Sequence, residues 1–336
     1  MGAGAVWGTL DRIAMGKNLK DSLKIIKARA NLIRQQRESP DAAGGELVDD
    51  LVDAGLVKRG AAEVPRKDRE PSRAPETQAE VESLLDHYKE GESGPIETVE
   101  PGDEVSAGGE PLYLIRREAE DVDPAAVEEA EAFGRLVAWP KHVGAKAHGT
   151  RSPGQKLDTP FDRESICFLD IETTGLSPTT YLFLIGLMFW EKGRFVAELV
   201  FARNYAEETA VLQYVRDTMS RFAAVVTYNG DRFDLPFIET RLAAARVGPL
   251  DPIASVDLLY TARRVFSSVL PNCKLGTVER HIRGIERSGD IPSRYIPAAY
   301  HDYVRTGDAR AMKNVLYHNR MDLFTMAILI NRLAGD

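Results

Sequence analysis

Three apolar segments of strand length follow one another along this chain, and they constrain its fold more than any other feature. ICFLDIE begins at Ile166, YLFLIGLMFW at Tyr181 and RFVAELVFA at Arg194. The first two are nearly continuous apolar runs suited to buried strands, and the third alternates with period two. EETAVLQYVRDTMSRF then has helical character, AAVVTY predicts a short buried strand, DLPFIETRLAAAR a helix and IASVDLL a further strand. Mainly helices follow, ending in ARAMKNVLYHNRMDLFTMAILINRLA. Consecutive strands followed by alternating helix and strand predict an α/β fold, a mixed β-sheet flanked by helices.

Charge divides the chain at about the same place. Residues 1–160 carry 22 basic and 30 acidic side chains, whereas 161–336 carry 21 of each, so the net charge of −8 belongs to the first part. Within it, residues 1–37 hold 8 basic and 2 acidic groups, and residues 38–131 hold 9 and 27. Leu19, Leu23, Ile26, Ala30 and Ile33 share one helical face, with lysines and arginines around the rest. Residues 1–37 are therefore expected to form a basic amphipathic helical segment, either a docking helix or a tether to nucleic acid or an anionic surface. Residues 38–131, broken by Pro, Gly and Ser in ESGPIETVEPGDEVSAGGEP, read as an acidic, mostly disordered linker with a short helix near VESLLDHYKE. Residues 132–160 lead into a folded domain over 161–336.

Several classes are excluded by the same inspection. No run of about 18 apolar residues exists to span a membrane, and the N-terminus lacks the pattern of an export signal. Cys167 and Cys273 are the only cysteines, too few for a disulfide framework or a Cys-rich zinc module. A cytoplasmic protein with no membrane partner is expected.

Chemistry concentrates in three short elements. In Phe168-Leu169-Asp170-Ile171-Glu172, strand alternation projects Asp170 and Glu172 from one face. Neighbouring carboxylates at the end of an apolar strand repel and lose solvation, a cost that a divalent cation with hard oxygen ligands removes. An exposed strand end would explain the pair equally well. In Thr227-Tyr228-Asn229-Gly230-Asp231-Arg232-Phe233-Asp234, a strand ends in a polar turn, and Asp234 begins the next helix as a candidate N-cap that retains lone pairs for a metal. In Tyr317-His318-Asn319-Arg320-Met321-Asp322, helix geometry puts His318 and Asp322 on one face, about 40° apart, and Tyr317 about 140° from Asp322.

These elements, in this order, resemble the three motifs of the DEDD 3′–5′ exonucleases of ribonuclease-H-like fold. FLDIETTG and TYNGDRFDLP are similar to the proofreading domains of family B DNA polymerases. Residues of about 161–334, including YLFLIGL, VDLLYTARR, NCKLGTVERHIRGIERSGDIP and HNRMDLFTMAIL, resemble the YprB-like ribonuclease-H-like family more closely. The resemblance implies that Asp170, Glu172, Asp234 and Asp322 hold two divalent cations, Mg²⁺ or Mn²⁺, for hydrolysis of phosphodiester bonds in DNA or RNA at a single-stranded 3′ end. One known subgroup has His five residues before the last Asp and another has Tyr four before it. Here Tyr317 stands at five and His318 at four, and helix geometry favours His318 as general base.

Other positions follow from the same likeness and from charge. Thr173, Thr174 and Leu176 match the segment that holds the terminal nucleotide. Asn229 is expected to orient the site, and Phe233 to pack beneath Asp234. Asp257 is read as a supporting hydrogen-bond acceptor or helix cap ahead of a metal ligand. Residues 260–336 carry 12 basic against 7 acidic groups, so Arg263, Arg264, Lys274, Arg280, Arg283 and Arg287 are candidates for a phosphate-binding surface. Two alternatives stand beside the exonuclease: a nucleic-acid-binding module of the same fold with weak or no catalysis, and a structure-specific endonuclease. A phosphohydrolase for small esters is the remaining option. No protein partner of the N-terminal extension is identifiable.

Overall fold

The computed structural model describes residues 78–118, 128, 133, 143, 145–148, 156–157, 161–267, 270–284, 287 and 289–334. The basic segment over 1–37 lies outside the described residues. The three apolar runs form an antiparallel meander, β5 (Ile166–Thr173), β6 (Leu182–Glu191) and β7 (Arg194–Phe201). β6 and β7 are buried along nearly their whole length, as their continuous apolar character requires.

From β7 the chain runs through helix α3 (Glu208–Met219) to β8 (Ala224–Thr227), then through α4 (Asp234–Ala245) to β9 (Ile253–Asp257). β8 lies parallel to β5 and to β9, so the mixed sheet changes direction at β5, the strand that carries Asp170 and Glu172. Helix α5 (Leu258–Phe266) follows β9, α6 covers Leu275–Arg283, α7 covers Ile296–Thr306, and α8 runs from Arg310 to Ala334. The long α8 packs on β5 and β6. Tyr300 of α7 stacks on Phe183 of β6 at 3.9 Å between ring centroids and donates its hydroxyl to the Ala202 carbonyl at 3.0 Å. Phe183 is thereby committed to the core. Residues Ala262–Ile285 form a compact unit separate from that of Glu76–Thr261 and Glu286–Ala334.

Among the described residues the sheet has nine strands, in the order β1-β2-β7-β6-β5-β8-β9-β3-β4, and four of them precede residue 161. This corrects the expected linker over 38–131 within residues 78–118; residues 38–77 and nearly all of 119–131 lie outside the described residues. β1 (Asp103–Ala107) and β2 (Glu110–Glu118) form a hairpin inside that stretch, and β2 pairs with β7 from Tyr113↔Phe201 to Glu118↔Val196. Leu112, Tyr113, Leu114 and Ile115 are buried, while Arg116, directly across from Glu198, forms ion pairs with Glu198 and Glu191. Average composition over a long acidic stretch concealed one nine-residue strand whose apolar centre pairs with β1 on one side and with the distant β7 on the other. The helix near VESLLDHYKE is α1 (Gln78–Asp86), and a further single turn, α2, spans Ile96–Val99. Within 132–160, β3 (Ala145–His148) pairs with β9 and β4 (Lys156–Leu157) with β3.

Candidate active site

Asp170 and Glu172 sit half-buried on one face of β5, with Ile171 buried between them. The pairing of β5 with β6 shifts between Glu172 and Thr173; such an irregularity bends a strand and re-aims the side chains at its end. Asp234 is the first residue of α4 and only 5% exposed. Its carboxyl accepts the backbone N–H of Ile171 as well as its own, which brings α4 against β5 between the two strand carboxylates. The N-cap position belongs to Phe233, which makes no side-chain capping bond. The expectation of an N-cap at Asp234 is therefore corrected: its oxygens face β5. Asp322 projects from α8, with Oδ2 3.8 Å from Nε2 of His318.

The four carboxyl groups act on one another electrostatically. Burial, then Asp322, Glu172 and Asp234, hold the proton on Asp170 well above the ordinary carboxylate range, against the pull of Arg287. Glu172 is pushed up to about 8, chiefly by burial; His318 opposes this, and Asp322 and Asp234 add to it. Asp234 is pushed up to about 7 by burial, with Asp257 and Asp322 contributing. For His318 burial disfavours charge, but the hydrogen bond to Asp290 and the fields of Asp322 and Glu172 prevail and raise it to about 9.

Polar groups from neighbouring elements engage these oxygens. Asn319, fully buried on α8, donates from Nδ2 to Oδ2 of Asp170 at 2.7 Å. Arg287, 6% exposed, places a guanidinium nitrogen 2.7 Å from Oδ1 of Asp322 and donates to Oγ1 of Thr325 at 3.1 Å. Arg287 was expected on a phosphate-binding surface; its guanidinium instead pairs with the half-buried carboxylates of Asp322 and Asp290. Arg283 is likewise 10% exposed and paired with Glu279 at 3.1 Å. As a donor set, four carboxyl groups, of which Asp170, Glu172 and Asp234 resist ionisation through burial and mutual repulsion, have the hard oxygen chemistry that suits a divalent cation. Among the described residues no three His, Cys, Asp or Glu side chains stand at ion-ligating spacing, and Asn319 and Arg287 hold Asp170 and Asp322 in this arrangement.

The remaining expected positions are placed as follows. Thr173 is buried and donates its hydroxyl to the Gly175 carbonyl at 2.7 Å, while the Thr174 hydroxyl accepts the Tyr181 N–H at 2.9 Å, closing the turn after β5. Leu176 at the tip of that turn is 88% exposed. Asn229 has a left-handed backbone, φ 72°, and its N–H donates to Oδ1 of Asp257 at 2.8 Å. Asp257 also accepts from Asp231 N at 3.4 Å and from Leu259 N at 3.0 Å, so it ties the turn after β8 to the start of α5. Phe233 packs on Phe237 at 5.6 Å between ring centroids. Tyr317 is half-buried on α8. Arg263 and Arg264 lie in the last turn of α5 and Lys274 at the N-cap of α6, within Ala262–Ile285.

Asn319 and Asp290 at this site were not foreseen, and Arg287 was assigned to a phosphate-binding surface and not to Asp322. Only Asn319 left a signal, since it interrupts the apolar seam of Leu316, Leu323, Ala327 and Ile330. A family model described as the RNase_H superfamily, RNase_H_2, matches residues 167–334, a span that contains all four carboxylates. This chain belongs to the RNase H superfamily. It is 31% identical over 173 residues to "Uncharacterized protein YprB" of Bacillus subtilis (strain 168), a match covering 50% of this chain and 42% of that protein. The chain thus spans less than half the length of that relative. Among solved structures, the family B DNA polymerase from the hyperthermophilic archaeon Pyrobaculum calidifontis is similar with 16% identity and a TM-score of 0.42, over 76% of this chain and 42% of the polymerase. Membership in the RNase H superfamily supports a nuclease, a hydrolase acting on nucleic acid, of a kind that generally uses divalent metal ions. Among the described residues, no helix is long and apolar enough to cross a membrane.

Proposed function

We propose that this protein is a two-metal-ion 3′–5′ exonuclease acting on a single-stranded 3′ end of DNA or RNA, with Asp170, Glu172, Asp234 and Asp322 as ion ligands. The observation that supports the reading is electrostatic: Asp170, Glu172 and Asp234, from β5 and α4, each feel the charge of Asp322 on α8. Divalent ions bound there would lower the pKa of an attacking water and stabilise the leaving 3′ oxygen. His318 is assigned as general base because Nε2 faces Asp322 while Nδ1 is held from the other side. Asp290 gives the largest part of the rise in its proton affinity, and Asp322 and Glu172 add to it; divalent ions held by Asp322 and Glu172 would remove their part and bring Nε2 closer to accepting a proton near neutral pH. The turn that presents Leu176 is assigned to the terminal nucleotide, with Thr173 and Thr174 bracing it. Asn229 and Phe233 are assigned to shaping the Asp234 side of the site, and Arg263, Arg264 and Lys274 to phosphate contacts.

The test uses single strands labelled at either end, incubated with Mg²⁺, Mn²⁺ or EDTA, for wild type and Asp234→Asn. The expected result is a metal-dependent ladder shortened from the 3′ end and lost in the variant. Internal cuts would replace the exonuclease with the endonuclease reading. Retained strand binding without cleavage would leave a binding module, and cleavage undiminished in EDTA or in Asp234→Asn would overturn the carboxylate assignment.

A further inference from the structure

His318 is held from behind by a residue outside all three carboxylate motifs. Asp290 Oδ1 stands 2.6 Å from Nδ1 of His318, and the two side chains are 25% and 12% exposed. An ionised carboxylate only accepts hydrogen bonds, so Nδ1 is the nitrogen that carries the proton in this pair. Nε2 is then the nitrogen turned toward the site, 3.8 Å from Asp322 and 3.3 Å from the Ser293 hydroxyl. The other oxygen of Asp290 lies 3.6 Å from Arg287, whose guanidinium reaches Asp322 at 2.7 Å. The short stretch from Arg287 to Asp290 therefore grips α8 at two points one helical turn apart, a basic group on Asp322 and an acidic group on His318.

We propose that Asp290 is a positioning residue for His318: its carboxylate fixes the ring's orientation and the tautomer that leaves Nε2 available toward the carboxylates. This rests on the reading of His318 as base. A neutral imidazole has two tautomers, and only the one protonated on Nδ1 offers Nε2 as an acceptor. Without Asp290 that preference is lost and the ring can rotate about its side-chain bonds. An amide in its place can instead donate to Nδ1 and favour the wrong tautomer.

The test compares full-length wild type, Asp290→Ala, Asp290→Asn, Asp290→Glu and His318→Ala. One readout is kcat and KM on a 3′-labelled strand with Mn²⁺. The other is the ¹⁵N spectrum of the histidine ring nitrogens, recorded at about pH 10, above the raised value of His318 near 9, so that the ring is neutral and its tautomer defined, with the His318 signal assigned by its disappearance in His318→Ala. Asp290→Ala and Asp290→Asn are expected to lower kcat about 10- to 100-fold with KM nearly unchanged. His318 should lose its Nδ1–H signature in both, and Asp290→Glu should recover part of each effect. Wild-type kcat in Asp290→Asn beside an inactive His318→Ala would overturn the role of Asp290 while sparing the base. Full activity in His318→Ala would overturn the base assignment, and the ring spectrum would still decide whether Asp290 sets the tautomer. An unchanged tautomer in Asp290→Asn overturns the proposal whatever the rates.

Discussion

Gly186 stands opposite Asp170 in the β5–β6 register, and Gly186→Ala is the smallest change that should dismantle the support of Asp170. A Cβ at Gly186 would lie 1.9 Å from Oδ1 of Asn319, 3.0 Å from its Cγ and 3.0 Å from Cδ1 of Leu323. A carbon–oxygen contact is ordinarily about 3.3 Å or longer, so Oδ1 must retreat by about 1.4 Å. Asn319 and Leu323 are both fully buried on α8, which leaves the helix little room to shift as a body. Asn319 must then swing, and the 2.7 Å bond from its Nδ2 to Asp170 is lost. Loss of a hydrogen bond to a charged or partly charged group costs about 1.5–3 kcal/mol, and overpacking adds about 1–3 kcal/mol. At about 2–4 °C per kcal/mol for a domain of this size, the melting temperature should fall by roughly 5–24 °C. Thermal and urea unfolding of the full chain, with nuclease assays beside them, measure this. Asn319→Ala removes the obstacle, so Gly186→Ala/Asn319→Ala should be about as stable as Asn319→Ala alone, a strongly non-additive cycle. A Gly186→Ala protein within about 0.5 kcal/mol of wild type, or simple additivity of the two changes, would refute the reasoning.

Two further outcomes follow from the carboxyl groups. Glu172 and Asp234 have folded-state values near 8 and 7 in place of 4.5 and 3.8, so between those limits the folded protein binds more protons than the unfolded chain. Its stability in EDTA should therefore decline as pH rises from about 5 to 8, by up to about 1.4 kcal/mol per pH unit for each proton involved. The raised value of His318 acts in the same direction, since its stabilising charge is present below its ordinary 6.5 and lost as pH climbs through about 9. Mn²⁺ should raise the melting temperature more at pH 8 than at pH 5; a flat profile in EDTA would contradict the proposed crowding. Asp257→Ala should destabilise by about 2–4 kcal/mol because the N–H groups of Asn229 and Leu259 lose their acceptor. Asp257→Asn, which keeps one acceptor oxygen, should lose less than half of that by urea unfolding, and equal losses would argue against a capping role.

What the sequence disclosed and what it hid divide along a physical line. Repeating patterns exposed β5 to β9 and α8, because burial on a strand or helix imposes a period on the chain. Asp170 and Glu172 stood out as two charges closing an apolar strand, whereas Asp234 and Asp322, on helices, joined them only through the resemblance of the three motifs taken together. β2 was hidden, since its apolar centre is four residues long and surrounded by acid, and its stability comes from pairing with β7, remote in the chain. Gly186 and Asn319 were each written as an interruption, a glycine within YLFLIGLMFW and an amide within an apolar seam. A glycine in a strand interior often marks a close approach, yet neither interruption explains itself until α8 lies on β6. Asp290 and Arg287 carry no periodic signal, because their partners are set by the path of a connecting segment.

The arrangement around β5 also bears on why such a site exists. Among the described residues, Arg287 and His318 are the cations that act on Asp170, Glu172, Asp322 and Asp290, and two positive charges are fewer than these four carboxyls would require if all were ionised. The shortfall can be met by protons, which the raised values of Asp170, Glu172 and Asp234 express, or by cations from solution. A module that only gripped a polyanion would gain nothing from this crowding, since each ionised carboxylate repels phosphate and each protonated one costs folding stability as pH rises. Buried carboxyl groups held near each other at that cost make physical sense where a divalent ion replaces the protons and then faces the phosphate itself. Arg287 fits the same logic: it holds Asp322 in place with a single charge, which a doubly charged ion can outcompete without the helix having to move.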